Sequence, residues 1–209
     1  MADEISLNSQ VSAEILESIA VKKALLEASG QIGGAASAIL ERIKRGGKLI
    51  VAGNGGSAAD AQHIVAELVG RYRTERRPLP AMALTTNSST LTAMANDYAF
   101  KEVFSRPIQA LAAPNDVFLA ISTSGNSLNI LEAIRAAKQA GVFVIGLSGK
   151  TGGKMREMVD LCICVPSDST PRIQEAHILI GHIICGVVED GFTMDAVGAD
   201  SAQSSHHRR

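Results

Sequence analysis

From residue 48 onward the chain repeats one pattern: a short, nearly unbroken apolar run, a turn, then a longer stretch of helical spacing. The runs are KLIVAG (48–53), PAMALT (80–85), DVFLAIS (116–122), VFVIGLS (142–148) and LCICV (161–165). None alternates apolar with polar, as befits strands of a parallel sheet covered on both faces. Helical patterns lie between them near 57–73, 88–112 (two helices), 127–140 and 153–158. Strands alternating with helices predict a doubly wound α/β domain with right-handed crossovers.

Two more helices precede the first strand. Val11, Ile15, Ile19 and Leu26 keep helical spacing in the first, and Ile32, Ala36, Ile39, Leu40 and Ile43 in the second, which Gly46-Gly47 ends. A last helix, about 172–190, is apolar on more than one side through Ile173, Ile178, Leu179, Ile180, Ile183, Ile184, Val187 and Val188. Such a surplus predicts burial, in part against another subunit. The organisation read here is one domain over 1–192, with N-terminal helices at 9–46 and an α/β core at 47–192. Residues 193–209 read as a mobile tail.

Composition narrows the partners. Twenty Lys+Arg against 21 Asp+Glu leave a formal charge of −1, so no general footprint for nucleic acid exists. No Trp and only two Tyr leave few stacking platforms for single strands. The start, MADEISLN, has no apolar signal core, and the longest apolar run falls far short of the ~18–20 residues that span a bilayer. Three cysteines, Cys162, Cys164 and Cys185, are an odd number without a signal segment. That favours a reducing cytoplasm and buried thiols over disulfides.

Ligands of such sheets sit beyond the carboxyl ends of the strands, and two loops there suit an anion. The first run ends in Asn54-Gly55-Gly56-Ser57 before a helix. Glycines let backbone amides approach a ligand, Ser57 is a candidate N-cap, and the helix start offers free N–H groups. Alone, this loop would read equally well as a tight turn with a capped helix. The third run, however, ends in Ser122-Thr123-Ser124-Gly125-Asn126-Ser127, again before a helix. Four hydroxyls and a glycine at a strand-to-helix junction are good phosphate donors. Neither loop holds a basic residue, so amides and hydroxyls would carry the contact with a phosphorylated small molecule.

Two helices offer acid–base or metal chemistry. His63 and Glu67 stand at i and i+4, on one face, as a surface pair, two metal ligands or a base with its partner. On the last helix Gln174, His177 and His182 fall in RIQEAHILIGHI. Gln174 and His182 are ~12 Å apart along the axis but on neighbouring faces, whereas His177 points elsewhere. Asn96-Asp97-Tyr98 reads as a helix-ending turn whose polar groups could also meet sugar hydroxyls.

AGNGGSAADAQHIVAEL, ANDYAF, STSGNS and RIQEAHILIGHI, in this order and spacing, resemble the sugar isomerase (SIS) family and its heptose 7-phosphate branch over residues 10–192. The resemblance implies a three-layer, flavodoxin-like fold with a five-stranded parallel sheet, assembled as a homotetramer. It implies interconversion of sedoheptulose 7-phosphate and D-glycero-D-manno-heptose 7-phosphate for heptose-containing glycans. By position in the motifs, Asn54, Gly55, Gly56, Asn96 and Asp97 would hold substrate, together with Glu67 and Gln174. Ser122, Thr123, Ser124 and Ser127 would grip the phosphate. His63, Glu67, Gln174 and His182 match the family's zinc ligands, one ion per subunit, and Glu67 and His182 match its acid–base pair. Arg71 matches a position near the active site, and Asn87 stands where some relatives carry an acid. The rival reading is a non-catalytic tetramer of the same family that binds the replication initiator protein; its resemblance weakens at the carboxylate and second histidine.

Overall fold

The computed structural model of the chain describes residues 2–206, with side chains over 6–193. Five parallel strands form one sheet: β1 (Leu49–Ala52), β2 (Ala81–Ala83), β3 (Val117–Ile121), β4 (Phe143–Ser148) and β5 (Leu161–Cys164). Their order is β2-β1-β3-β4-β5. Every expected strand is present, trimmed by a residue or two at its ends. In register Ile50 faces Phe118, and Phe118 faces Val144.

Seven helices surround the sheet: α1 (Ala2–Ala24), α2 (Ser29–Lys44), α3 (Gly56–Val69), α4 (Ser88–Asp97), α5 (Ser105–Leu111), α6 (Leu128–Gln139) and α7 (Thr170–His206). Strand residues alternate between two cores. Leu49, Val51, Leu119 and Ile145 face α2, α3 and α7, while Ile50, Ala52, Phe118 and Val144 face α5 and α6. This is the three-layer arrangement predicted, and both faces of the sheet are dry, which explains the unbroken apolar runs. The expected helix at 153–158 is a short 3-10 turn, Gly153–Glu157. Asn87 caps α4, its side chain accepting from the Thr90 amide at 3.0 Å. An amide does this as well as an acid.

The two long helices differ in what covers their apolar faces. The apolar stripe of α1 does not enter the core: Val11, Ile15 and Ile19 are 57%, 55% and 42% exposed, and Leu26 beyond its end is 72% exposed. Among the described residues, only Val21 and the following Leu25 anchor α1 through buried apolar packing, helped by Ser18 donating to Glu175 at 2.6 Å. The surplus of α7, by contrast, is mostly absorbed within the chain. Ile173, Ile180, Ile184 and Val188 are buried, leaving Ile183 and Val187 exposed. By length and mean hydropathy Thr170–Thr193 could cross a bilayer, but it packs on α2 and α3 and carries Arg172, Glu175 and Glu189. The α7 backbone also runs helical to His206, past the expected 190. The side chains of the 193–209 segment lie outside the described residues beyond Thr193.

The cysteines divide. Cys185 is buried, whereas Cys162 and Cys164 are half-buried on one face of β5, their sulfurs 3.6 Å apart. An edge strand has a neighbour on one side only, so these thiols are not enclosed as expected. Burial, followed by the nearby Glu67 carboxylate, pushes the Cys185 thiol up to about 12, which keeps it protonated and inert.

His177 is fully buried, with Nε2–H donating to the Ser148 carbonyl at 3.2 Å. Burial holds its pKa down to about 4 against the backbone hydrogen bond, so the folded chain keeps the ring neutral. An unfolded chain takes up this proton below about pH 6.5, the folded chain only near 4. Stability is therefore full above that window and falls through it as pH drops, by about 3 kcal/mol for this group. Urea unfolding at pH 7 and pH 4.5 should show the loss, and His177→Asn should flatten it. A second expectation concerns Gly125, at φ +64, where an added Cβ would lie 2.0 Å from the Gly152 carbonyl. Gly125→Ala should lower stability by more than ~1 kcal/mol in the same assay.

Candidate functional site

The sheet reverses its winding between β1 and β3, and the loops that follow these two strands flank the resulting crevice. In the first loop Gly55, at φ +55, turns the chain into α3. The helix begins at Gly56, one residue before the expected N-cap: Gly55 takes that place, and Ser57 is buried in the first turn. Small residues are required here. A Cβ on Gly56 would approach the Gln174 amide nitrogen to 2.5 Å, and one on Gly53 would meet Ser57. Gln174, from the first turns of α7, thus lies against the opening of α3.

Asn54 is tied rather than free. It exchanges two hydrogen bonds with buried Asn129, donating at 2.9 Å and accepting at 2.8 Å. This reciprocal pair joins the first loop to the start of α6, which follows the second loop. Asn129 carried no local signal, because its partner is 75 residues away.

In the second loop, Ser122 donates to Ser127 at 3.1 Å and Ser124 accepts from the Asn126 amide at 3.2 Å. Ser127 stands at the start of α6 without capping it by its side chain. Thr123 and Ser124 border a cavity of about 180 Å³ closed by Gly149, Lys150, Thr151, Ser167, Asp168 and Thr170. The second loop itself has no basic residue, but the end of β4 brings Lys150 across from it, 3.5 Å from Asp168.

His63, Glu67 and His182 converge. His63 Nε2 lies 3.1 Å from Glu67 Oε1 and 3.2 Å from His182 Nε2, and one donor atom from each residue falls within 4.8 Å of the others. The cause is local packing of α3 on α7. Gly181 leaves room for Ile64, to whose Cγ1 an added Cβ would come within 2.7 Å. The neighbours of this contact, His63 and His182, are thereby carried together. His177 turns instead into the core, as helical geometry required.

Two nitrogens and a carboxylate oxygen, with His63 Nε2 3.1 Å and 3.2 Å from the other two and all three within 4.8 Å of one another, suit a tetrahedral ion. Zinc bonds of 2.0–2.1 Å imply ligand separations of ~3.3 Å. The residues present therefore fit zinc. Gln174 is placed at Gly56 rather than among these three donors.

Asp60 joins the same face three residues before His63. Burial lifts its carboxyl to about 6, against the opposing pull of His63, and its Oδ2 is buried without a hydrogen-bond partner among the described residues. Sequence reading passed it over, although Asp60, His63 and Glu67 share helical spacing.

Other candidates stay apart. Asn96 and Asp97 are exposed at the end of α4 and bond to each other at 2.8 Å. Arg71 is exposed and lies 4.0 Å from Glu75.

Comparison with known proteins agrees with this geometry. The SIS domain family model matches residues 13–149. The phosphoheptose isomerase of Rhodospirillum rubrum is 60% identical over 159 residues, covering 76% of this chain and 85% of that protein. That of Aneurinibacillus thermoaerophilus is 50% identical over 187 residues, covering 88% and 94%. The solved phosphoheptose isomerase of Neisseria gonorrhoeae superposes with a TM-score of 0.84 at 42% identity, over 88% of this chain and 99% of that one. The chain belongs to the SIS domain family and, within it, to the phosphoheptose isomerases.

Proposed function

We propose that the chain is an aldose–ketose isomerase that interconverts sedoheptulose 7-phosphate and D-glycero-D-manno-heptose 7-phosphate, the entry to heptose for lipopolysaccharide, capsule or other glycans. The observation that carries this reading is the meeting of His63 and Glu67 on α3 with His182 on α7, in a fold that also presents a hydroxyl-rich loop. His63 lies seven residues past the start of α3, so the cluster stands ~10 Å along the helix from the glycine loop. A ligand that touches both the glycine loop and this group must be elongated, with its reacting carbons at the His63–Glu67–His182 end. A seven-carbon sugar phosphorylated on C7 and carrying its carbonyl at C1 or C2 has this form.

Ser122, Thr123, Ser124 and Ser127 hold the phosphate through hydroxyls and amides, with Lys150 as the nearby cation. Asn54, Gly55, Gly56 and Gln174 line the path of the sugar, and Asn96 and Asp97 contact it from their exposed turn. Glu67 lifts a proton from the carbon beside the carbonyl and returns it to the neighbouring carbon, through a cis-enediolate. His182 moves the accompanying proton between the two oxygens. His63, Glu67 and His182 would hold one zinc ion per subunit, which when bound would supply Lewis-acid polarisation of the carbonyl, while Gln174 stands nearer the sugar path at Gly56. A carboxylate on zinc is a weaker base, so proton abstraction needs a Glu67 oxygen away from the ion.

The working unit is a cytoplasmic homotetramer, with residues 1–192 as its folding domain. Leu7, Val11, Ile15, Leu16 and Ile19 expose a stripe on α1 that a neighbouring copy would cover. The rival reading, a scaffold that binds the replication initiator, makes no use of a convergent His–Glu–His group.

Purified protein should turn over sedoheptulose 7-phosphate, and Glu67→Gln should cut kcat at least 100-fold with the assembly intact. Absence of turnover by the parent with zinc supplied would end the isomerase reading. In light scattering, Ile15→Glu combined with Ile19→Glu should break the tetramer into smaller species; an unchanged mass would remove α1 from the interface.

A further inference from the structure

The segment leaving α3, residues 70–77, is fixed from beneath by one carboxylate. Glu189 on α7 is 1% exposed and accepts from three consecutive amides: Tyr72 at 2.9 Å, Arg73 at 2.8 Å and Thr74 at 2.9 Å. Arg76 Nε lies 3.2 Å from the same carboxylate, with both side chains almost wholly enclosed. The Arg76 guanidinium then donates to the carbonyls of Glu67 and Leu68, each at 2.8 Å, and of Gly70 at 3.1 Å. These carbonyls belong to the last turn of α3 and its C-cap, and that of Leu68 also accepts from the Leu79 amide at 3.0 Å. One ion pair therefore fastens both the backbone of Glu67 and the loop that follows it.

The loop presents Tyr72. Its ring lies nearly parallel to that of His182, with centroids 5.7 Å apart and planes at 21°. Gly186, one turn beyond His182, makes the space: a Cβ there would come within 3.2 Å of Tyr72 Cε1. His63 meets the His182 ring edge-on, at 4.9 Å and 74°. The imidazole is thus confined by two rings at different angles, and its Nε2 is directed at His63.

We propose that Tyr72, anchored by the buried Glu189–Arg76 pair, is a positioning residue that sets the orientation of the His182 ring within the His63–Glu67–His182 group. It touches neither substrate nor metal in this account, and it rests on the metal-site reading above. The chemistry is that of a free imidazole, which can rotate about two side-chain bonds and must be ordered when it binds an ion. A flat partner fixed to the backbone orders it beforehand, so the binding energy is not spent on ordering. A loose histidine still reaches the ion but binds it more weakly.

The test compares Tyr72→Phe, which keeps the ring and loses only the 3.4 Å contact from Arg73, with Tyr72→Leu, which removes the flat face. Glu189→Gln releases the loop by a different route. Zinc affinity is read on metal-free protein by competition with a chromophoric chelator, alongside kcat and KM for sedoheptulose 7-phosphate. Tyr72→Phe should stay within about twofold of the parent. Tyr72→Leu should bind zinc at least tenfold more weakly, within the ~10–100-fold range for losing a group that orients a ligand. Its kcat should fall while KM stays within about twofold. Glu189→Gln should shift zinc affinity the same way, and if it does not fold, the two Tyr72 variants decide. Folded Tyr72→Leu protein that binds zinc as the parent does overturns the positioning role alone. A parent that binds no zinc overturns this role together with the metal-site reading.

Discussion

Because residue 181 is glycine, α7 lies on α3 closely enough for Ile64 to fill the place a side chain would take. The two histidines beside that contact reach hydrogen-bond distance without any loop being built to carry them. Helix packing has fixed geometry and little slack, so the separation of the donor groups is inherited from the core. A larger residue at 181 would push the helices apart and spread the whole group at once. The chemistry of the site is in this sense a property of an apolar interface.

How much of this could be read from the chain depends on how far apart the interacting residues stand. The five strands were legible because each is covered on both faces and so carries no polar interruption. His63 with Glu67 was legible because helical spacing alone puts them on one face. Asn129 was invisible, since its role exists only opposite Asn54. Glu189 was equally hidden, as its amide partners lie some 115 residues earlier. The apolar stripe of α1 was legible as a stripe but not as an exposed one, because periodicity states which residues share a face and not what covers that face. Ser57 misled for a different reason: Gly55 can take the turning conformation, so the cap falls two residues sooner and needs no hydroxyl.

The charged groups are distributed according to what each must do. Glu189 is buried; that burial alone would raise its carboxyl, but the Tyr72, Thr74 and Arg73 amides outweigh it and hold it below the ordinary carboxylate range. It stays an anion and an anchor. Asp60 has no such donors for its buried oxygen, and its carboxyl rises. Two acids facing the same pair of helices are thus set apart by hydrogen bonding rather than by depth. The hydroxyl loop, proposed above to hold the phosphate, contains neither kind of group; amides and hydroxyls can hold an anion without titrating.

His63 and His182 are separated by 119 residues, and this distance has a consequence for biosynthesis. A chain emerging from the ribosome completes α3 long before α7 exists, and domains fold largely from the N-terminal side during synthesis. Until α7 docks, α3 displays the His63 imidazole with the Asp60 and Glu67 carboxylates but lacks the second imidazole. On the metal-site reading proposed above, the full set of donors therefore arises in a single late step. A product that stops before α7 carries the glycine and hydroxyl loops in its sequence but lacks the residue that completes the group.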